Sequence, residues 1–167
     1  MNDKFETLPI EKQNLILNAA YHVFSKNSYK NSPMNEIASM AHISKSLLFY
    51  YFHNKKELYC YLWNHCTRFT IETLSEYHCY DMKDFFDMLD RGMQAKLKIL
   101  RQYPDIGMFV VRTYYEKDPT VSEYIQNSYQ TYLKEKADLT FSNLDPKQFI
   151  REFRKIPSLT MGYKGFF

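Results

Sequence analysis

The sequence predicts an all-α protein in which a small head of three helices precedes a larger helical body. Three observations lead to this prediction. Apolar residues recur at helical intervals along most of the chain. Only 4 glycines and 6 prolines interrupt the 167 residues, and no regular alternation of apolar and polar residues indicates a strand hairpin. The hydrophobic content of 45% is sufficient to build a buried core.

The first helix of the head is predicted from Ile10 to Lys26, where apolar residues form a stripe of helical period. Ser32 and Pro33 supply an N-cap and a first-turn proline for a second helix, which ends near Ala41. The apolar residues expected in the core of the head are Ile16, Ala20, Phe24, Ile37, Leu48 and Phe52.

A tight turn over residues 42–44 separates the second helix from the third. Ser44 is the expected N-cap of the third helix, and Leu48 and Phe52 stand four residues apart on its inward face. Helix-turn-helix proteins use this arrangement to place one helix in the major groove of DNA. The spacing therefore predicts DNA binding.

The order of these residues resembles the DNA-binding domain of the TetR family of transcriptional regulators. The chain carries Ser28 and His42 where family members commonly carry glycine, and Phe49 where they commonly carry tyrosine. Phe49 cannot donate a hydrogen bond to a phosphate, so we expect it mainly to pack. The residues that carry the resemblance are Ile16, Ala19, Ala20, Phe24, Ile37, Ala38, Ala41, Ser44, Leu48, Phe52, Lys55 and Leu58.

Positive charge at two helix starts identifies the expected DNA contacts. The net charge of +3 is a weak argument by itself, but Lys45 opens the third helix and Lys55 opens the next one. Lys55 is expected to clamp a phosphate, whereas the exposed face of the third helix is expected to read base edges. The predicted DNA-binding residues are Ser32, Ser44, Lys45, Ser46, Leu47, Tyr50, Tyr51 and Lys55.

We place the boundary between the DNA-binding domain, residues 1–55, and a helical effector-binding and dimerisation domain, residues 56–167. Apolar periodicity and prolines predict the helices of this second domain. They run from Lys55 to about Tyr77, from about Asp81 to before Pro104, from Asp105 to Glu116, from Pro119 to about Ala137, and from Asp145 through Ile156.

The body is rich in aromatic residues, because the chain holds 15 tyrosines, 13 phenylalanines and 8 methionines. The resemblance implies that a small molecule binds in the body and releases DNA, and the composition suits a largely hydrophobic or aromatic effector. For each single residue, packing in a core is the simpler interpretation. The candidate ligand residues are Trp63, Phe69, Phe86, Met93, Phe109, Tyr114 and Tyr129.

Dimerisation is expected because two heads double the contacts with a palindromic operator. The resemblance implies an interface made by the last two long helices of each subunit. After Pro157 the chain contains two glycines and ends at Phe167, which leaves no room for another long helix. Either the interface is reduced or differently built, or the chain is an incomplete version of a longer family member, and we favour the second interpretation.

Several other functions are not indicated. No Ser-His-Asp order, glycine-rich phosphate loop or paired carboxylate motif predicts an enzyme or a cofactor site. The pairs His65-Cys66 and His78-Cys79 lack the spacing of a structural zinc site, so no metal is expected. Three cysteines without a secretory leader, and no apolar run of membrane-spanning length, predict a cytoplasmic protein outside the membrane.

The leading hypothesis is a cytoplasmic, homodimeric repressor that a small effector releases from a double-stranded DNA operator. One alternative is a helical architectural or interaction protein that binds DNA without a ligand. Another is a thiol or metal sensor.

Overall fold

The computed structural model describes the backbone of residues 3–142, the side chains of residues 4–132, and Lys147. Within these residues the chain is all-helical and contains no strand. None of the helices described there is both long and apolar enough to cross a membrane. The elements are α1 (Asp3–Glu6), α2 (Ile10–Lys26), α3 (Met34–Met40), α4 (Lys45–Tyr51), α5 (Lys55–Glu76), a 3₁₀ turn (Cys79–Asp81), α6 (Phe85–Gln102), α7 (Ile106–Tyr114) and α8 (Ser122–Ser142).

Helices α2, α3 and α4 form the predicted head around one apolar core. α2 has the bounds that its apolar stripe predicted. The six residues expected in this core are each at most 2% exposed. Phe5 of the short α1 adds to the core, with its ring centroid 4.9 Å from that of Phe52. The helix-turn-helix is therefore supported by a buried apolar core.

The caps of α3 and α4 confirm one prediction and correct another. The Ser44 hydroxyl accepts a hydrogen bond from the Leu47 N–H at 3.1 Å, as expected of an N-cap. Ser32 does not cap α3, because Pro33 occupies the N-cap position. The turn between the two helices places His42 at φ 53°, a left-handed conformation that histidine tolerates better than most residues.

The body helices follow the predicted order with shifted starts. α6 begins at Phe85 rather than near Asp81, because residues 79–81 form a 3₁₀ turn and Asp84 caps the helix through its carboxylate. α8 begins at Ser122 rather than at Pro119, and it continues beyond Ala137. The helix predicted from Asp145 through Ile156 lies outside the described residues, apart from Lys147.

Head and body share one aromatic core. Phe109 of α7 is 0% exposed, and its ring centroid lies 5.1 Å from Tyr21 of α2 and 5.4 Å from Tyr59 of α5. Such edge-on aromatic contacts stabilise a core beyond the area they bury. The boundary at residue 55 remains a prediction about function, since packing continues across it.

His65 of α5 lies inside this aromatic cluster. Its Nδ1 is 2.7 Å from the hydroxyl of Tyr21, and its ring centroid is 5.1 Å from that of Tyr103. Burial lowers the pKa of His65 to about 4, and the nearby Arg68 acts in the same direction. In the unfolded chain this imidazole titrates near its ordinary pKa of about 6.5. The unfolded state therefore binds more protons between these two values.

We expect the melting temperature to fall as the pH is lowered from about 6.5 to about 4, because protonation of His65 favours the unfolded chain. Circular dichroism melts across this range measure the effect. His65→Gln should reduce the pH dependence, whereas His78→Gln, at a side chain 66% exposed, should leave it unchanged. Equal pH dependence in wild type and His65→Gln would contradict the assignment.

Candidate nucleic-acid interface and effector cavity

α4 presents the outward face of the helix-turn-helix. Ser44, Lys45 and Ser46 are exposed at its N-terminal end, and Tyr50 is 54% exposed one turn further on. Leu47 is half-buried against the core and keeps part of its side chain on the surface. Hydroxyl, ammonium and apolar groups therefore lie along one accessible surface, which is the mixture that reads base edges in the major groove.

The two tyrosines of α4 occupy different environments. Tyr50 lies on the surface, with the Lys4 ammonium 4.1 Å from its ring centroid. Tyr51 is only 8% exposed, and its ring packs edge-on against Phe5 at 6.1 Å. The expectation that both tyrosines point outward is therefore wrong for Tyr51, because α1 covers it.

A groove beside α4 brings three lysines together. It has a volume of about 360 Å³, and no acidic residue is among the described residues that line it. We call it the lysine groove. Its lining residues are Lys30, Asn31, Ser32, Pro33, Met34, Asn35, Lys45, Phe49 and Lys55.

The Lys55 ammonium is held at the edge of the lysine groove. It donates to the carbonyls of Lys30 at 2.9 Å and Ser32 at 3.1 Å, and it lies 5.1 Å from the ring centroid of Tyr29. An ammonium has three N–H groups, so one remains for a phosphate oxygen. Burial lowers the pKa of Lys55, and the negative charge of Asp118 opposes this effect.

Ser32 lines the groove in a way that the sequence did not predict. Its hydroxyl is buried and donates to the carbonyl of Ser28 at 2.9 Å. The Ser32 hydroxyl is therefore occupied inside the protein, and the serine contributes its carbonyl to Lys55 instead. The assignment of Ser32 as a DNA contact stays a prediction, and its buried hydroxyl does not support it.

Lys30 was absent from the predicted contact residues. It is exposed in the loop between α2 and α3, and folding places it beside Lys55, 25 positions later. A basic residue shortly before the start of α3 was the available signal, since helix N-termini attract anions. Its juxtaposition with Lys45 and Lys55 depends on the tertiary structure.

A cavity of about 120 Å³ lies between α5, α7 and α8 in the body. The Trp63 indole N–H donates to the Ser128 hydroxyl at 2.9 Å, and the ring centroids of Trp63 and Tyr129 are 6.4 Å apart. No side chain among the described lining residues carries a charge at neutral pH. The cavity is lined by Trp63, Cys66, Thr67, Thr70, Val110, Tyr129 and Tyr132.

The structure brings only two of the seven predicted ligand residues, Trp63 and Tyr129, to this cavity. The spacing 63, 66, 67 and 70 along α5 was the sequence signal for the other lining residues of that helix. Phe109 fills the shared core and Met93 is 58% exposed, so neither faces the cavity. The predicted residues that do not line it are Phe69, Phe86, Met93, Phe109 and Tyr114.

Of the two cysteine and histidine pairs, only Cys66 lines a candidate site, the body cavity. Burial raises the pKa of the thiols of Cys60, Cys66 and Cys79, that of Cys66 to about 12. A raised pKa reduces the thiolate that oxidation and metal binding require. Among the described residues, no three His, Cys, Asp or Glu side chains are grouped closely enough to hold a metal ion.

Comparison with known proteins supports the interpretation of the head as a DNA-binding helix-turn-helix domain. Residues 16–62, which contain the helix-turn-helix, match the family described as bacterial regulatory proteins, tetR family. The chain is similar to the uncharacterized HTH-type transcriptional regulator YhgD of Bacillus subtilis (strain 168), with 24% identity over 140 residues. This match covers 78% of the chain and 73% of YhgD.

Two further proteins are similar over most of the chain. The HTH-type transcriptional regulator RutR of Escherichia coli O157:H7 is 24% identical over 130 residues, covering 77% of the chain and 59% of RutR. A TetR family transcriptional regulator from Chloroflexus aurantiacus J-10-fl has a similar structure, with a TM-score of 0.50 and 19% identity. That likeness covers 80% of this chain and 63% of the Chloroflexus protein, and it supports the all-α fold.

The chain spans less than two thirds of both RutR and the Chloroflexus regulator. The family match nevertheless falls on the residues that build the head and its exposed helix α4. The N-terminal helix-turn-helix domain, residues 16–62, is therefore similar to the DNA-binding domain of the tetR family of bacterial regulatory proteins.

Proposed function

We propose that this regulator is a cytoplasmic repressor that binds a palindromic operator and leaves it when a small, uncharged, largely hydrophobic or aromatic molecule binds in the body. The observation that carries the proposal is the lysine groove beside the exposed face of α4. Positive charge and an accessible helix are the two features that a major-groove reader requires.

The proposed docking divides the surface into two parts. Lys30, Lys45 and Lys55 neutralise phosphates of the DNA backbone, which strengthens binding without reading sequence. Ser46 and Tyr50, with the exposed part of Leu47, face base edges. Ser44 caps α4 and stabilises its first turn. Tyr51 and Ser32 are buried and support the surface through packing.

Specific recognition by this surface calls for two copies. One short helix contacts few base pairs, and a two-fold dimer doubles the contacts on a palindrome. The proposed division of labour follows, with residues 1–55 binding DNA and residues 56–167 carrying effector binding and dimerisation. The effector releases DNA only if it binds the two conformations of the protein with different affinities.

The body cavity suggests the size and charge of the effector. An apolar cavity of about 150 Å³ holds one benzene ring. The cavity beside Trp63 measures about 120 Å³, so we take a single ring as the upper limit for the part of the effector that it encloses. Its uncharged lining cannot compensate the burial of an ion, so charged molecules of the same size are excluded. Thr70 and Tyr132 line the cavity, and we propose that their hydroxyls orient a ring that carries one polar substituent.

The test begins with selection of binding sequences from a random duplex library by the full chain. Binding to a selected duplex is then measured with phenol, toluene or benzoate. We expect the two uncharged rings to weaken DNA binding and to raise the melting temperature, and benzoate to do neither. Val110→Phe, which fills the cavity, should abolish the response and retain DNA binding. A response unchanged in this variant would refute the assigned cavity.

A further inference from the structure

We propose that Glu116, a residue of the body, is a positioning residue for DNA binding because it holds the loop whose carbonyls hold Lys55. The inference rests on the proposed DNA-binding function and adds a residue that lies outside the helix-turn-helix. Glu116 follows α7 directly in the chain, after the cap residue Tyr115. Its carboxylate accepts a hydrogen bond from Tyr29, in the loop that follows α2.

Both oxygens of the Glu116 carboxylate are engaged by backbone N–H groups. Oε2 accepts from the N–H of Tyr29 at 2.7 Å. Oε1 accepts from the N–H groups of Lys117 at 2.9 Å and Asp118 at 3.0 Å. A carboxylate that receives three such bonds is fixed in orientation, and bonds to a charged acceptor are stronger than those between neutral groups. Glu116 thus links the loop after α2 to the turn after α7, although Tyr29 and Glu116 are 87 positions apart in the sequence.

Tyr29 is adjacent in the chain to residues that line the lysine groove. Lys30, the next residue, and Ser32 give the two carbonyls that accept from the Lys55 ammonium. The Tyr29 ring lies 5.1 Å from the same ammonium. Fixing the backbone at Tyr29 therefore fixes three of the groups that surround Lys55. Lys55 belongs to α5, whereas the two carbonyls belong to the loop after α2. The position of this loop therefore decides where the third N–H of the Lys55 ammonium points.

Tyr59 of α5 provides a second link between α7 and this loop. The Tyr59 ring packs edge-on against Tyr29 at 5.1 Å, and its hydroxyl lies 2.9 Å from the Thr113 hydroxyl, within hydrogen-bonding distance. Thr113 precedes Glu116 by three residues, and Val110, which lines the body cavity, precedes Thr113 by three. One face of α7 and the turn after it therefore contact the cavity, Tyr59 and the loop beside the lysine groove. A shift of α7 on effector binding would change the position of Glu116 relative to Tyr29.

Charge alone predicts the opposite effect for this residue. A carboxylate close to a phosphate-binding surface repels DNA, so its neutralisation should strengthen binding. If Glu116 positions the groove, neutralisation weakens binding instead. Asp118 supplies the matched control, because its charge acts on both Lys30 and Lys55 while its carboxylate accepts from Thr120 and not from Tyr29.

The experiment compares Glu116→Gln with Asp118→Asn in the full chain. A glutamine side chain has nearly the shape of glutamate, but its NH₂ group must face an N–H on one side, so it cannot accept all three bonds. The probe is a fluorescent duplex of random sequence, titrated between about 50 and 200 mM KCl. We expect Glu116→Gln to bind roughly three- to tenfold more weakly, with the salt slope smaller by about 1. Asp118→Asn should bind as well as wild type or better.

Two further measurements separate the possible failures. In a Lys55→Ala background, Glu116→Gln should weaken binding by less than about twofold, since both changes act on one contact. Without DNA, hydrogen exchange at the Tyr29 amide should be faster in Glu116→Gln than in Asp118→Asn. If Glu116→Gln cannot be obtained folded, Glu116→Asp, which keeps the charge and shortens the side chain, should show the same weakening.

Binding of Glu116→Gln as tight as that of Asp118→Asn would overturn the positioning role. So would an unchanged exchange rate at Tyr29. If wild type itself binds no duplex while Tyr29 exchanges faster in Glu116→Gln, the proposed function fails and the link between Glu116 and the loop stands.

Discussion

Phe109→Ala is expected to lower the free energy of unfolding by about 3–5 kcal/mol, the usual cost of removing a buried aromatic ring. Phe109 is 0% exposed, and its ring contacts those of Tyr21 in α2 and Tyr59 in α5. The cavity left behind cannot collapse easily, since Tyr21 is tied to the Leu62 carbonyl and Tyr59 to Thr113. Head and body are therefore expected to lose stability together.

Urea unfolding measures this effect with two probes. Circular dichroism follows all helices, and fluorescence of Trp63, the only tryptophan of the chain, follows the body. Both midpoints should fall by the same amount in Phe109→Ala. Met93→Ala, at a side chain 58% exposed, should change little. A body transition that stayed in place while the helical signal of the head melted earlier would show two independent cores.

The double variant Lys45→Ala with Lys55→Ala is expected to bind any DNA duplex roughly a hundredfold more weakly, at about tenfold for each lost charge-assisted contact. Both lysines line the groove. In the proposed docking they neutralise phosphates, which releases counterions from the DNA. The salt slope should decrease by about 2, and the loss should be similar for all sequences.

The matched control removes the same charge elsewhere. Lys83→Ala with Lys96→Ala neutralises two exposed lysines beside and within α6. Fluorescence anisotropy against the same duplexes compares the two double variants. An equal loss in both would mean that overall charge, and not the lysine groove, accounts for the affinity.

The head was largely predictable because its signals are local. Apolar spacing defined α2 to the residue, and the serine before α4 is the cap that its side-chain chemistry suggests. The exposure of Tyr51 was predicted wrongly, because a residue of another helix covers it. Phe5 lies on a helix of four residues, too short to show periodicity, and yet it covers Tyr51.

The candidate sites depended more on distant contacts. Lys45 and Lys55 could be identified from their positions at helix starts. The sequence could not place Lys30 beside Lys55 or Glu116 beside Tyr29, because these partners lie 25 and 87 positions apart. The effector residues were the weakest prediction. Aromatic content predicts that rings will be buried, but it does not distinguish Phe109 in the solid core from Trp63 beside a cavity.

The sequence by itself determined the all-α fold, the helix-turn-helix and the position of α4 within it, because helix periodicity and capping act within a few residues. Only the tertiary structure decided which tyrosine of α4 faces outward, which lysines share a groove and which body residue holds that groove. These properties arise from packing between helices far apart in the chain. Burial and hydrogen bonding depend on the neighbours that folding supplies, and a single sequence pattern does not name those neighbours.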